Sequence, residues 1–137
     1  MDCICKMNDN YLLIATHNNF YFYNILYHQI DTIIRRDKKI KGISLLKSDL
    51  NGNIYLIGNN YHSMKGFFTP KDYFFVYRYK EIFLDKIYES EYRNKQIVDF
   101  EPLNENNKFA FIFSYFPFFS GIHKEYLQIE NINISCF

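Results

Sequence analysis

Three short apolar runs echo one another along this chain. Asn10-Tyr11-Leu12-Leu13-Ile14-Ala15-Thr16 is followed by Asn53-Ile54-Tyr55-Leu56-Ile57-Gly58-Asn59, and then by Lys108-Phe109-Ala110-Phe111-Ile112-Phe113-Ser114. Their first residues lie 43 and then 55 positions apart. The first two runs lead into a second, aromatic run, Phe20 to Asn24 and Tyr73 to Tyr79. A multi-strand unit that recurs at such spacing constrains the fold to a stack of similar sheets, and the first interval matches the ~40–50 residues of a propeller blade. Each run is apolar on both of its alternating faces, as Leu12, Leu13 and Ile14 illustrate. A strand of that kind needs packed neighbours on both sides.

The rest of the chain reads in the same way. Val, Ile, Tyr and Phe cluster in runs of four to eight, bounded by Asn, Asp, Gly and Ser, which are turn formers. The expectation is one all-β domain of three four-stranded antiparallel propeller-like blades, a partial β-propeller, with blades at residues 1–37, 40–90 and 95–137. The alternative is a single antiparallel β-sandwich or barrel. A loop from Asn59 to Lys71 and a charged stretch from Glu89 to Lys95 absorb the longer second interval. Helical periodicity is poor. The best helical candidate is Asp85 to Lys95, where Tyr88 and Tyr92 stand four apart among charges. The last segment, Asn133 to Phe137, is read as a fourth strand of the third unit or a frayed end.

Composition narrows the function classes. The 137 residues are 48% hydrophobic and 23% charged, enough for one packed core. Sixteen basic and fifteen acidic residues leave a net charge of +1, which argues against a dedicated nucleic-acid binder. Aromatic residues make up 20% although Trp is absent, and Ala occurs only at Ala15 and Ala110. The favoured residues have A/T-rich codons, so aromatic clusters carry less functional weight here. Cys3, Cys5 and Cys136 form no disulfide framework and no metal-ligand spacing, and they fit a reducing compartment. No signal peptide is apparent, and the most apolar segment, Phe109 to Ile122, falls short of the ~20 residues of a membrane helix. A soluble, cytoplasmic protein, with an option of peripheral membrane attachment, is expected.

The pair Tyr11 to Thr16 and Phe20 to Asn24 resembles the central strands of a WD-repeat blade, as does Tyr73 to Arg78 leading into Ile82-Phe83-Leu84. The Gly-His and Trp-Asp dipeptides of that repeat are missing. Within the superfamily the chain is most similar to PROPPINs, propellers that bind polyphosphoinositides and act in autophagy. Asn8 to Thr16 with Phe20 to Asn24 resembles their opening blade, and Phe68-Thr69-Pro70-Lys71 before Tyr73 resembles an entry to their next blade. A competing register sets Ile34-Arg35-Arg36-Asp37 on the family's Phe-Arg-Arg-Gly motif, with Ile34 in place of Phe and Asp37 in place of Gly. The two registers exclude one another. Under the first, the resemblance implies lipid sites in further blades. Under the second, it implies a headgroup site at Arg35 and Arg36, with Asp37 opposing the anion.

Two segments stand out as candidate sites. Arg35-Arg36-Asp37-Lys38-Lys39-Ile40-Lys41 is the densest basic run. Arg35, Arg36, Lys38 and Lys39 are candidate ligands for phosphoinositide or another anion; the plainer reading is a solvated connector between sheets. In Phe116-Pro117-Phe118-Phe119-Ser120-Gly121, the rings of Phe116, Phe118 and Phe119 are candidates for a partner or membrane loop, or else cap the core. His17, His28, His62 and His123 lack ligand spacing, the glycines form no phosphate loop, and Asp99 and Glu101 alternate on one strand face. No catalytic residue, metal site or cofactor is expected. The function expected is a non-enzymatic protein-interaction scaffold; the alternative is a PROPPIN-like membrane recruiter. Three blades do not close a ring, so the expected partner is another protein or a second copy that completes it, with an anionic membrane surface as a further option.

Overall fold

The computed structural model describes residues 2–16, 18–36, 38, 40–49, 51–60, 62–64, 67–69, 71–80, 83–103, 107–115 and 124–132, with the backbone alone for 62–64 and 67–69. Every regular element among them is a strand. The chain divides into two compact units, Met1–Asn60 with Tyr73–Ser90, and Tyr61–Asp72 with Glu91–Phe137.

The first unit holds two four-stranded sheets. β1 (Cys3–Lys6), β2 (Tyr11–Ala15), β3 (Asn19–Asn24) and β4 (Gln29–Arg35) form an antiparallel meander in sequence order. Its turns follow from side-chain chemistry. The Asn8 carboxamide oxygen accepts from the backbone N–H of Asn10 and Tyr11 at 2.8 and 2.9 Å. Asn24 does the same for Leu26 and Tyr27 at 3.0 and 3.1 Å. Short polar side chains offer such turns an acceptor that the backbone alone lacks.

The second sheet consists of β5 (Gly42–Ser48), β6 (Asn53–Asn59), β9 (Lys71–Lys80) and β10 (Phe83–Arg93), in the order β10-β9-β6-β5, with the ends of β9 and β10 belonging to the second unit. Asp49 directs the β5–β6 turn, where Gly52 takes φ +82°. This φ lies in the left-handed region that glycine enters without a steric penalty.

The two sheets share a core. Leu13, Ala15, Phe20 and Phe22 cluster with Ile40, Ile43, Leu46, Ile54, Leu56, Tyr73, Phe75 and Tyr77, all buried. Phe20 meets Tyr77 edge-on at 5.6 Å between centroids, and Phe22 stacks with Tyr79 at 5.8 Å. β6 is buried on both faces: Tyr55, Ile57, Phe74 and Val76, on the side away from this core, are also out of solvent. β2 and β12 (Lys108–Tyr115) instead alternate, with Leu13 and Ala15 or Phe109, Phe111 and Phe113 buried and their neighbours more open. Two-faced burial, read from all three apolar runs, therefore holds for one of them.

The second unit contains β11 (Lys95–Pro102), β12 and β13 (Lys124–Asn131), paired in that order. The rings of Phe100, Phe109, Phe111 and Phe113 line one face, and Tyr92 lies 6.1 and 5.2 Å from Phe111 and Phe113. Buried Asp72 accepts from the Ile97 N–H at 2.7 Å.

Two readings need correction, and a third falls outside the described residues. The best helical candidate, Asp85 to Lys95, is strand instead, with β10 reaching Arg93 and Lys95 opening β11. Tyr88, Ser90 and Tyr92 are half-buried while Glu89, Glu91 and Arg93 are exposed, a period of two that a four-residue spacing of tyrosines cannot distinguish from a helical one. The loop after Asn59 carries a small hairpin, β7 (His62–Met64) paired with β8 (Phe67–Thr69). The third sheet has three strands rather than four among the described residues. The segment read as its fourth strand, 133–137, lies outside them.

Candidate functional site

The basic run is more structured than a solvated connector. Asn19 pairs with Arg35 at the end of the β3–β4 ladder, and the Arg36 N–H extends it by donating to the Asn18 carbonyl at 2.9 Å. At the other end the Lys41 N–H donates to the Asn59 carbonyl at 2.8 Å, entering the second sheet. Between them Ile40 is buried in the shared core. It lies directly over Gly58, where an added Cβ would stand 2.7 Å from Ile40 Cγ2. The missing side chain at Gly58 is thus what admits Ile40, and Ile40 in turn pins the segment that carries the cations.

The result is a pocket of about 690 Å³ lined by Asn18, Asn19, Arg35, Arg36, Lys38, Ile40 and Lys41. Its size suits a small-molecule site, but its lining is unusually rich in cations. Arg35 and Lys38 are exposed, whereas Arg36 is buried. Burial pulls the Arg36 guanidinium below its usual pKa, while Tyr77, Asp2 and Cys3 act in the opposite direction. A guanidinium stays charged through such a shift, and it presents a planar fork suited to phosphate or carboxylate oxygens. Of the four expected anion ligands, Arg35, Arg36 and Lys38 come together here, and Lys39 lies outside the described residues. Lys41, Asn18 and Asn19 complete the lining. The asparagines read as turn formers in sequence, and their approach to Arg35 depends on the β3–β4 pairing.

Phe116, Phe118 and Phe119 also lie outside the described residues. The thiols of Cys3 and Cys5 share the core-facing side of β1, opposite Ala15 and Leu13. Burial, against a hydrogen bond with Ser48, pushes the Cys5 thiol up to about 12, so at neutral pH it is a protonated, packed group. Among the described residues no three of His, Cys, Asp and Glu stand together as a metal site. None of these residues forms a helix long and apolar enough to cross a membrane.

Two sheet faces are open. On the side of the first sheet away from the core, Ile4, Ile14, Tyr21 and Ile33 form one cross-strand row, and Lys6, Leu12, Tyr23 and Ile30 the next. Ile4, Ile30 and Ile33 are 63%, 51% and 59% exposed. On the side of the third sheet away from Phe109, Phe111 and Phe113, Asp99, Ile112 and Leu127 form a row beside Glu101, Ala110 and Ile129, while Ser114 on the same side is buried. Ile112, Leu127 and Ile129 are 38%, 67% and 52% exposed.

No family model matches this chain, and no curated protein or solved structure matches it.

Proposed function

We propose that the chain is a non-enzymatic protein-interaction module built of propeller-like sheets, with uncovered apolar faces that take another polypeptide. The observation that carries this reading is the outer face of the first sheet, where two adjacent rows set five aliphatic side chains beside Tyr21, Tyr23 and Lys6, with three isoleucines more than half exposed. Contiguous apolar surface of this kind marks interaction sites, whereas scattered apolar residues do not. The propeller-like description is supported by strand order. Each sheet is a meander of consecutive strands, interrupted only by the β7–β8 hairpin, while Greek-key sandwiches exchange strands between their sheets.

A photo-crosslinking residue placed at Ile33 in the native host is expected to yield a polypeptide adduct, and one placed at exposed Glu89 of β10 is not. The adduct should fall at least about tenfold when Ile30→Lys is added, since a desolvated lysine in the apolar row opposes contact. An adduct of equal yield at both positions, or none at either, refutes the module.

The basic pocket favours a second reading, a membrane recruiter that binds a phosphoinositide headgroup. Its support is the convergence of Arg35, Arg36, Lys38 and Lys41 on one cavity. The protein is then expected to float with vesicles containing polyphosphoinositide and not with neutral vesicles. Arg35→Ala with Lys38→Ala and Lys41→Ala, three residues outside the apolar core, should reduce flotation about tenfold or more and flatten its salt dependence. Flotation that ignores anionic lipid, or survives the triple substitution, removes the headgroup role.

A further inference from the structure

We infer that the polypeptide covering these faces is a second copy of this chain, bound head to tail: the outer face of the first sheet of one copy lies on the outer face of the third sheet of the next. This rests on the interaction-module reading and names its partner.

The argument is charge complementarity laid over matched apolar rows. The first face carries Lys6 at the end of one row and Arg35, opposite Asn19, beyond the other. Its paired rows contain no acid, although exposed Asp2 precedes β1 on the same side and Lys6 lies 3.2 Å from Asp9 in the adjoining turn. The third-sheet face carries Asp99, Glu101 and Glu125 around Ile112, Leu127, Ile129 and Ala110, with Lys108 at one end. Stacking the first face on its own copy sets Lys6 and Arg35 against like charges. Stacking the third-sheet face on its own copy does the same with three carboxylates. Only the mixed contact brings apolar rows together with opposite charges around them, and like-charge juxtaposition is what interfaces are built to avoid.

Geometry agrees at the level of the sheets. Both faces are antiparallel and present neighbouring rows of branched aliphatic side chains, the surface that interdigitates when sheets pack about 10 Å apart. Both keep their most exposed apolar residues on outer strands, Ile4, Ile30 and Ile33 on β1 and β4, and Leu127 and Ile129 on β13. A contact between two different faces is heterologous, so it propagates to a ring or a filament instead of stopping at a two-fold dimer.

Light scattering on paired variants tests this. The wild-type chain is expected to run well above 16.7 kDa. Ile30→Glu with Ile33→Glu disables the first face, and Leu127→Glu with Ile129→Glu disables the third-sheet face, so that the two disabled faces also repel one another in the mixture. Each double variant alone should be monomeric, with self-affinity down at least about 100-fold. Mixed together they should form one 1:1 complex of about twice 16.7 kDa, because each supplies the face the other lacks. That recovery also shows that both variants are folded. Persistent assembly of either double variant alone overturns the head-to-tail arrangement. A wild-type monomer at about 100 μM overturns self-association altogether. The two failures are separable from failure of the module itself: a crosslink from Ile33 to a different polypeptide keeps the module and removes only the second copy.

Discussion

Phe75→Ala is expected to remove about 3–5 kcal/mol of stability, the range for truncating a fully buried aromatic side chain. Phe75 is inaccessible to solvent near the middle of β9. Its ring stacks on Tyr73 at 5.8 Å and lies 6.1 Å from Tyr77, and the Lys86 ammonium sits 5.5 Å from its centroid. Truncation takes away apolar burial and the ring contacts together, and sheet backbones on either side cannot collapse far into the void. Against a typical total of about 5–15 kcal/mol this is a large share. Urea unfolding followed by far-UV circular dichroism checks it, with the midpoint falling at unchanged slope. The control is Asp85→Asn, exposed on β10 and outside the open faces, expected to shift stability by less than about 0.5 kcal/mol. A loss under about 1 kcal/mol for Phe75→Ala contradicts the shared core.

Asp49→Ala is expected to lose about 2–4 kcal/mol although it changes a turn and not a core position. The Asp49 carboxylate accepts from the N–H groups of Asn51 and Asn53 at 2.8 and 3.0 Å, from the Asn53 carboxamide at 2.9 Å and from the Tyr55 hydroxyl at 2.7 Å. Asn53 and Tyr55 are buried, so losing this acceptor is felt by groups that water cannot reach. Burial by itself raises the Asp49 pKa, but the bonds from Asn53, Tyr55 and Asn51 outweigh it and hold the carboxyl below its ordinary value. Burial and the same carboxylate push the Tyr55 phenol upward, which keeps it a donor.

The sign of the pH effect follows. A carboxyl whose folded pKa is depressed contributes stability at neutral pH, and that contribution fades as pH falls from its unfolded value of about 3.9 through the lower folded value. Asp49→Asn should therefore be less stable than wild type at pH 7, with the gap closing below about pH 4. Urea midpoints at a series of pH values measure it. A gap that widens in acid contradicts the hydrogen-bond assignment.

Much of the strand content was legible because it is written in neighbouring residues. The three apolar runs lie in β2, β6 and β12, and the turns at Asn8 and Asp49 fall where short polar side chains can satisfy local N–H groups. The misreading at β10 has a local cause as well: tyrosines at positions 88 and 92 share a face in a helix and in a strand alike, and pairing with β9 decided between them. At the candidate site, the cations of the run were visible as charge. The burial of Arg36 and the approach of Asn18 and Asn19 were not, because they depend on the β3–β4 register and on the bare Cα of Gly58 beneath Ile40.

Neighbouring residues dictate that this chain makes strands, where most of them turn, and that three of them are apolar on both sides. Which sides are covered is settled by long-range packing. Leu12 to Ile14 and Tyr55 to Ile57 are nearly equivalent as local patterns, yet β2 keeps one face partly open while β6 is enclosed on both. Strand formation responds to alternation and turn chemistry within a few residues of the chain. Burial depends on which distant segments arrive opposite each face, and that is why the open surfaces appear only once the sheets are assembled.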